Sequence, residues 1–252
     1  MTSATAEGAK PISRQQLCKA GAAAQGMGYG AVDKVKQECA AATAKPECLD
    51  ENGYLKGLGT RHDLAGKDEP NPLEKGDLGT ISAIVLHRTG GGSADGALNS
   101  FKTGIGTHFL VDKDGTILQT ASLGKMTYHV GKIRSRCQDI KTCTKDETAV
   151  LGELRKSNKK YGDYVAALHK HESAKAYPDR YPNNTDSVGI EVVGEYDDKA
   201  KTWGGPTATQ KEVIKKLVDR LKTCCGLDND DIYEHDKISY KTSGEGAGLY
   251  DK

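Results

Sequence analysis

No apolar run in this chain approaches the ~20 residues that a helix needs to cross a bilayer, so the sequence offers no membrane span. Its start, Met1-Thr2-Ser3-Ala4-Thr5-Ala6-Glu7, has no basic region followed by an apolar stretch, and an ordinary signal peptide is not expected. Neither sign of charge is in excess, since 36 Lys and Arg face 35 Asp and Glu. A near-neutral chain has no electrostatic case for nucleic acid or an anionic membrane surface. The seven cysteines include no Cys-x-x-Cys, which excludes the common structural zinc knuckles. No His-Glu-x-x-His is present, which weighs against the common zinc peptidases.

What remains is a globular composition. At 252 residues and 36% hydrophobic content the chain can bury a full core and still carry one appendage. Residues 1–75 are rich in Ala, Gly, Lys and Gln. They read as a small helical segment with Ser13 as a helix N-cap, a second helix over Ala31–Ala44 that must end by Pro46, and a connector over Gly57–Gly76. The domains are therefore cut into 1–75 and 76–252. Cys39 and Cys48 bracket one short loop and Cys137 and Cys143 another, so disulfides are reasonable at both in an oxidising compartment. Reduced, core-packed cysteines are the alternative, and the odd count leaves at least one thiol free.

From Leu78 the pattern turns to strands. Ile81–His87 is apolar and β-branched, and His108–Val111 and Thr116–Gln119 flank an Asp114-Gly115 turn, a strong hairpin signal. The polar stretch from Lys132 to Asp186 reads as loop elaboration with one helix near Glu147–Lys156. Val188–Val193 is another buried strand, and Val213, Ile214, Leu217, Val218 and Leu221 recur at helical spacing within Thr209–Thr223. Strands and helices alternate loosely, so the fold class is mixed α/β.

Two histidines stand out. His87 ends an apolar strand, where an imidazole has little reason to sit unless something holds it, and His235 is followed six residues later by Lys241. With Glu191 inside another apolar strand, the parts of a metal-assisted amide hydrolase are present.

These residues stand in an order that resembles a family. The fragments are Ile84–Thr89, Thr107–Thr116, His129-Val130-Gly131, Asp186–Glu191, Thr209-Gln210 opening a helix, and His235 to Lys241. Together they resemble the zinc-dependent N-acetylmuramoyl-L-alanine amidases shared by phage amidase lysozymes, bacterial wall-recycling amidases and animal peptidoglycan recognition proteins. The resemblance covers about residues 78–252 and implies a mixed central β-sheet flanked by helices. It implies His87 and His235 as zinc ligands, Glu191 as general base and Lys241 as the group that steadies the oxyanion. An ungapped match places Ser243, a poor zinc ligand, at the third position. Glu245 is the preferred third ligand, with Ser243 as the alternative, because the flanking glycines let the backbone bring a carboxylate to the metal. His129 and Thr89 are expected at the substrate groove, and His108 is expected either to bind substrate there or to support the fold. His169 and His171 read as solvated surface residues, and His62 lies in the connector.

The resemblance implies hydrolysis of the amide between N-acetylmuramic acid and L-alanine of the stem peptide, with Zn2+ as cofactor and peptidoglycan as substrate. A non-catalytic peptidoglycan-binding module and a zinc peptidase acting on the stem are the alternatives. A wall substrate, possible disulfides and no signal peptide suggest delivery by a dedicated machine to the periplasm. A type VI secretion antibacterial effector with a cognate immunity protein and a secretion-machine partner is the preferred expectation; phage lysis or a cytoplasmic recycling role would also fit the missing signal.

Overall fold

A computed structural model describes residues 46–62, 64–66 and 69–252. The helices expected over Ser13 onwards and Ala31–Ala44, and Cys39, lie outside the described residues. Among the described residues seven strands form one sheet: β1 (Thr60–Arg61), β2 (Ala83–Gly90), β3 (Phe109–Val111), β4 (Ile117–Gln119), β5 (Ser187–Asp197), β6 (Thr202–Trp203) and β7 (Ile232–Glu234). The order is β1-β4-β3-β5-β2-β7, with β6 pairing antiparallel to β5. The centre is parallel, since β2 runs parallel to both β5 and β7, and β3 runs parallel to β5. Besides the short β6, the antiparallel pairing is the expected hairpin of β3 with β4.

Burial on both faces explains why β2 and β5 read as continuous apolar runs. Side chains alternate, so Ile84 and Leu86 of β2 and Val188, Ile190 and Val192 of β5 point to one face. There they join Ile214, Leu217, Val218 and Leu221 in one core cluster. Those four belong to α5 (Ala208–Cys225), whose stripe matches the expected spacing. Thr207 and Gln210 close its start as a capping box and Gly226, with φ 64°, ends it. The opposite face of β2 presents Val85 to Val130, Ile133 and Ile238, and the same alternation places His87 on this face.

Helices α1 (Ala94–Phe101) and α2 (Arg136–Asp139) were not legible in the pattern, and the stretch read as loop elaboration holds the expected helix, α3 (Lys145–Ser157), and a second, unexpected one, α4 (Tyr161–Ser173). α4 is held by more than its apolar residues, because His169 Nδ1 accepts a hydrogen bond from the Ile133 amide at 3.2 Å and His171 Nε2 meets Glu147 Oε1 at 2.8 Å. Neither histidine is the solvated surface group expected of it. Helix α6 (His235–Ile238) follows β7 directly.

The cysteines correct one expectation. Cys137 and Cys143 are bridged as anticipated, but Cys48 is bonded to Cys224 at the end of α5 rather than to Cys39. Cys48 is buried in the core cluster that α5 builds, so it reaches Cys224 and not the neighbouring loop. Cys225 is a buried free thiol, pushed up to about 12 by burial.

Candidate metal centre

The centre of the sheet places the histidines. β2 lies between β5 and β7; His87 is paired in register with Glu191, and Leu86 with Glu234. Parallel strands in register put His87 and Glu191 on one face. His235, the residue after β7, then stands beside His87 with ring centroids 4.0 Å apart, both rings buried. The site lies at the carboxyl end of β7 and over the middle of β2 and β5.

The third group comes from the last loop. Glu245 Oε1 lies 2.7 Å from His235 Nδ1 and 3.6 Å from His87 Nδ1. The loop is clamped from two sides. Arg88 donates to the carbonyls of Gly244, Glu245 and Ala247 at 2.9, 3.0 and 2.7 Å. Asp236 accepts from the amides of Gly244 and Gly246 at 2.9 and 3.2 Å. Gly246 passes so close to the strands that a Cβ there would stand 2.7 Å from Glu234 Cα and from the Leu86 carbonyl oxygen. Only glycine lets the chain press Glu245 this far inward.

Hydrogen-bond partners assign the tautomers. His235 Nε2 faces the Val130 carbonyl at 2.8 Å, and a carbonyl can only accept, so Nε2 carries the proton. His129 Nε2 faces the Ser187 carbonyl at 3.3 Å, which leaves His129 Nδ1 to accept from His87 Nε2 at 3.1 Å. Both ligand candidates therefore turn a bare Nδ1 toward the Glu245 carboxylate. Lone pairs facing a carboxylate at this range need a proton or a metal cation between them, and two neutral imidazoles with one carboxylate suit a divalent metal. The ligand atoms of His87, His235 and Glu245 all lie within 4.8 Å of one another.

Electrostatics agree with that donor set. Burial, then the neighbouring His235, lowers His87 to about 3, so its Nδ1 stays unprotonated through the neutral range. Burial pushes the Glu245 carboxyl up, but the His235 and His87 rings, which donate to it whenever they carry a proton at Nδ1, outweigh burial and hold it at about 2, so Glu245 offers a carboxylate. Glu191 moves the other way. Burial and then the Glu245 charge raise it to about 8, against the opposing pull of Lys241.

The model of the N-acetylmuramoyl-L-alanine amidase family matches residues 77–246, which spans every residue of this centre. The chain belongs to that family. It is a peptidoglycan amidase built on a His/His/Glu metal-coordinating site. Among solved structures, an AmpD derivative is 16% identical over 81% of this chain and 94% of its own, with a TM-score of 0.48. A mutant endolysin from Bacillus subtilis is 16% identical over 71% and 84%, at 0.40. The Apis mellifera protein PGRP-SA is 12% identical over 71% and 90%, at 0.39. No curated protein sequence matches the chain significantly.

The remaining expected residues of the amidase fall into two groups. Glu191 and Lys241 face the centre, and neither carries a side-chain hydrogen bond or ion pair among the described residues. A cavity of about 400 Å³ opens against Lys241 and Ser243, with Arg134 and Tyr181 in its wall. Ser243 is not in the metal-coordinating group; it is exposed, and its carbonyl accepts from Trp203 Nε1 at 3.0 Å. The other group is bonded within the fold. His108 is fully buried, with Nε2 on the Lys125 carbonyl at 2.8 Å and Nδ1 accepting from the Gly189 amide at 3.1 Å. His129 is spent on His87, and Gly189 makes room for it, since a Cβ there would stand 2.8 Å from His129 Nδ1. The Thr89 hydroxyl donates to the Gly91 carbonyl at 2.8 Å. The sequence pattern did not reveal the Val130 carbonyl, Asn184, Arg88 or Asp236, although Arg88, Val130 and Asp236 lie inside the fragments that carried the resemblance. Asn184 Oδ1 accepts from the amides of both His129 and Val130, at 3.0 and 2.8 Å, which fixes the two acceptors behind the ligands.

Proposed function

We propose that the metal is zinc and that the amidase cleaves the bond between the lactyl carbonyl of N-acetylmuramic acid and L-alanine, with Glu191 as base and Lys241 as oxyanion donor. The observation that carries this reading is the Glu191 carboxyl. It shares the face of His87, lies in register with it, has no protein partner, and is held near neutrality at about 8. Bound zinc would lower the pKa of water toward ~7 and polarise the scissile carbonyl. Glu191 takes the proton of the attacking water and delivers it to the departing alanine nitrogen, which leaves as an amine. Lys241, with no carboxylate partner to hold it, donates to the oxygen on which negative charge develops.

The two bridged cysteine pairs support work in an oxidising compartment. We place the enzyme on the wall as an antibacterial effector delivered by a secretion machine, with an immunity protein that covers the cleft in the producer. The test is zinc content together with mass analysis of muropeptides after incubation with sacculi, beside Glu191→Gln. The expected result is bound zinc in both proteins and free stem peptide beginning with L-alanine from the wild type alone. Cuts within the stem would replace the amidase reading with a peptidase. Sacculus binding with neither zinc nor cleavage would leave a recognition module.

A further inference from the structure

The helical insertion carries a second cluster of donor atoms, built from residues that the amidase site does not use. α3 and α4 bury Leu151 on one helix and Val165 and Leu168 on the other. The next position of the α4 stripe, four residues on, is Glu172, with no exposed surface. Its Oε1 meets Lys175 Nζ at 2.8 Å, and its Oε2 is buried without any hydrogen-bond partner. From the first turn of α3, Glu147 brings Oε1 to within 2.8 Å of His171 Nε2 and also meets the Lys175 ammonium. The ligand atoms of Glu147, His171 and Glu172 all lie within 4.8 Å of one another.

A buried carboxylate oxygen without a donor is rare and calls for an explanation. Lys175 supplies one positive charge to two carboxylates and leaves Oε2 of Glu172 bare. We propose that Glu147, His171 and Glu172 form a second divalent-metal site, taking zinc, that locks the start of α3 to the end of α4. Two carboxylates and one imidazole are ordinary zinc donors, and their two negative charges balance the ion. Lys175, whose side chain is already 21% exposed, turns out to solvent when the metal enters. The role is structural, because the cluster closes the end of an otherwise apolar helix contact.

The experiment is metal content of the full chain after loading with zinc and dialysis against zinc-free buffer. About two zinc ions per chain are expected. His235→Ala should remove one, and Glu147→Gln with His171→Ala the other. The double variant should lower the melting temperature in zinc and leave it unchanged in EDTA. Lys175→Met removes the competing ammonium and no ligand, so it should keep the second zinc more tightly than wild type through dialysis. A second ion still bound after Glu147→Gln with His171→Ala, or no second ion in either wild type or Lys175→Met, would overturn the proposal and leave an ion-pair network around Lys175. If the double variant fails to fold, Lys175→Met decides alone. The His235→Ala count reads the amidase site separately, so failure there is distinguishable.

Discussion

Glu191→Gln should make the metal-free amidase more stable at alkaline pH even as it ends catalysis. Burial, reinforced by Glu245, moves the Glu191 carboxyl from 4.5 to about 8. Between those values the folded state keeps a proton that the unfolded chain has released. The folded state therefore binds more protons, and stability falls as pH climbs through the window. Glutamine is neutral throughout and carries no such penalty. At ~1.36 kcal/mol per pH unit the full displacement sets a ceiling near ~5 kcal/mol. Because solvent still reaches part of this residue, a gain of about 2 kcal/mol is expected at pH ~9, falling to nothing near pH ~4. Urea denaturation of EDTA-treated wild type and Glu191→Gln across that range measures the difference. Equal stabilities at the alkaline end, or a gain confined to acid, would refute the assignment of a raised pKa to this carboxyl.

Three further outcomes follow from the geometry. His129→Leu removes the acceptor behind His87 Nε2 and should weaken metal binding by about 10–100-fold in chelator competition, whereas unchanged affinity would mean that His129 does not orient its neighbour. Gly246→Ala forces the last loop off the strands, so the purified protein should lose its metal while keeping its circular dichroism; a full metal complement would show that the loop can yield without moving Glu245. Cys48→Ser opens a link spanning 176 residues and should cost about 2–5 kcal/mol in urea unfolding, an effect that reductant reproduces in wild type and not in the variant.

Much of the sheet and the three metal-facing residues were legible in the sequence, for reasons that differ. β2, β5 and the stripe of α5 are long enough for periodicity to speak. His87 and His235 were readable only as a pair, since each alone is an ordinary buried histidine. The choice between Ser243 and Glu245 was open in the sequence because it depends on how far the loop bends, which Gly246, Arg88 and Asp236 decide together. α1 was hidden by the glycines around it: Gly91 and Gly92 precede its Ser93 cap, and the cap bonds the amide of Gly96 within the helix. The bracing by His129 was hidden for another reason, and that by His108 was one of two readings the sequence left open. A histidine that touches substrate and one that holds a neighbour's tautomer have the same letter, and only their partners tell them apart. Cys48 was assigned to its near neighbour in sequence because distance along the chain is all a sequence offers; packing against α5 carried it to Cys224.

The clamp of Arg88 on the carbonyl of Gly244 joins positions 156 residues apart. A chain made from its amino end displays His87 first and must wait until the segment carrying His235 and Glu245 has emerged before the other two metal-facing groups exist. During synthesis, and during any passage through a narrow channel that requires unfolding, the catalytic centre is therefore absent and not merely blocked. Closing contacts of such long range is slow compared with forming a helix, so activity begins only when the fold is finished. A wall hydrolase built this way is inert for as long as it is incomplete.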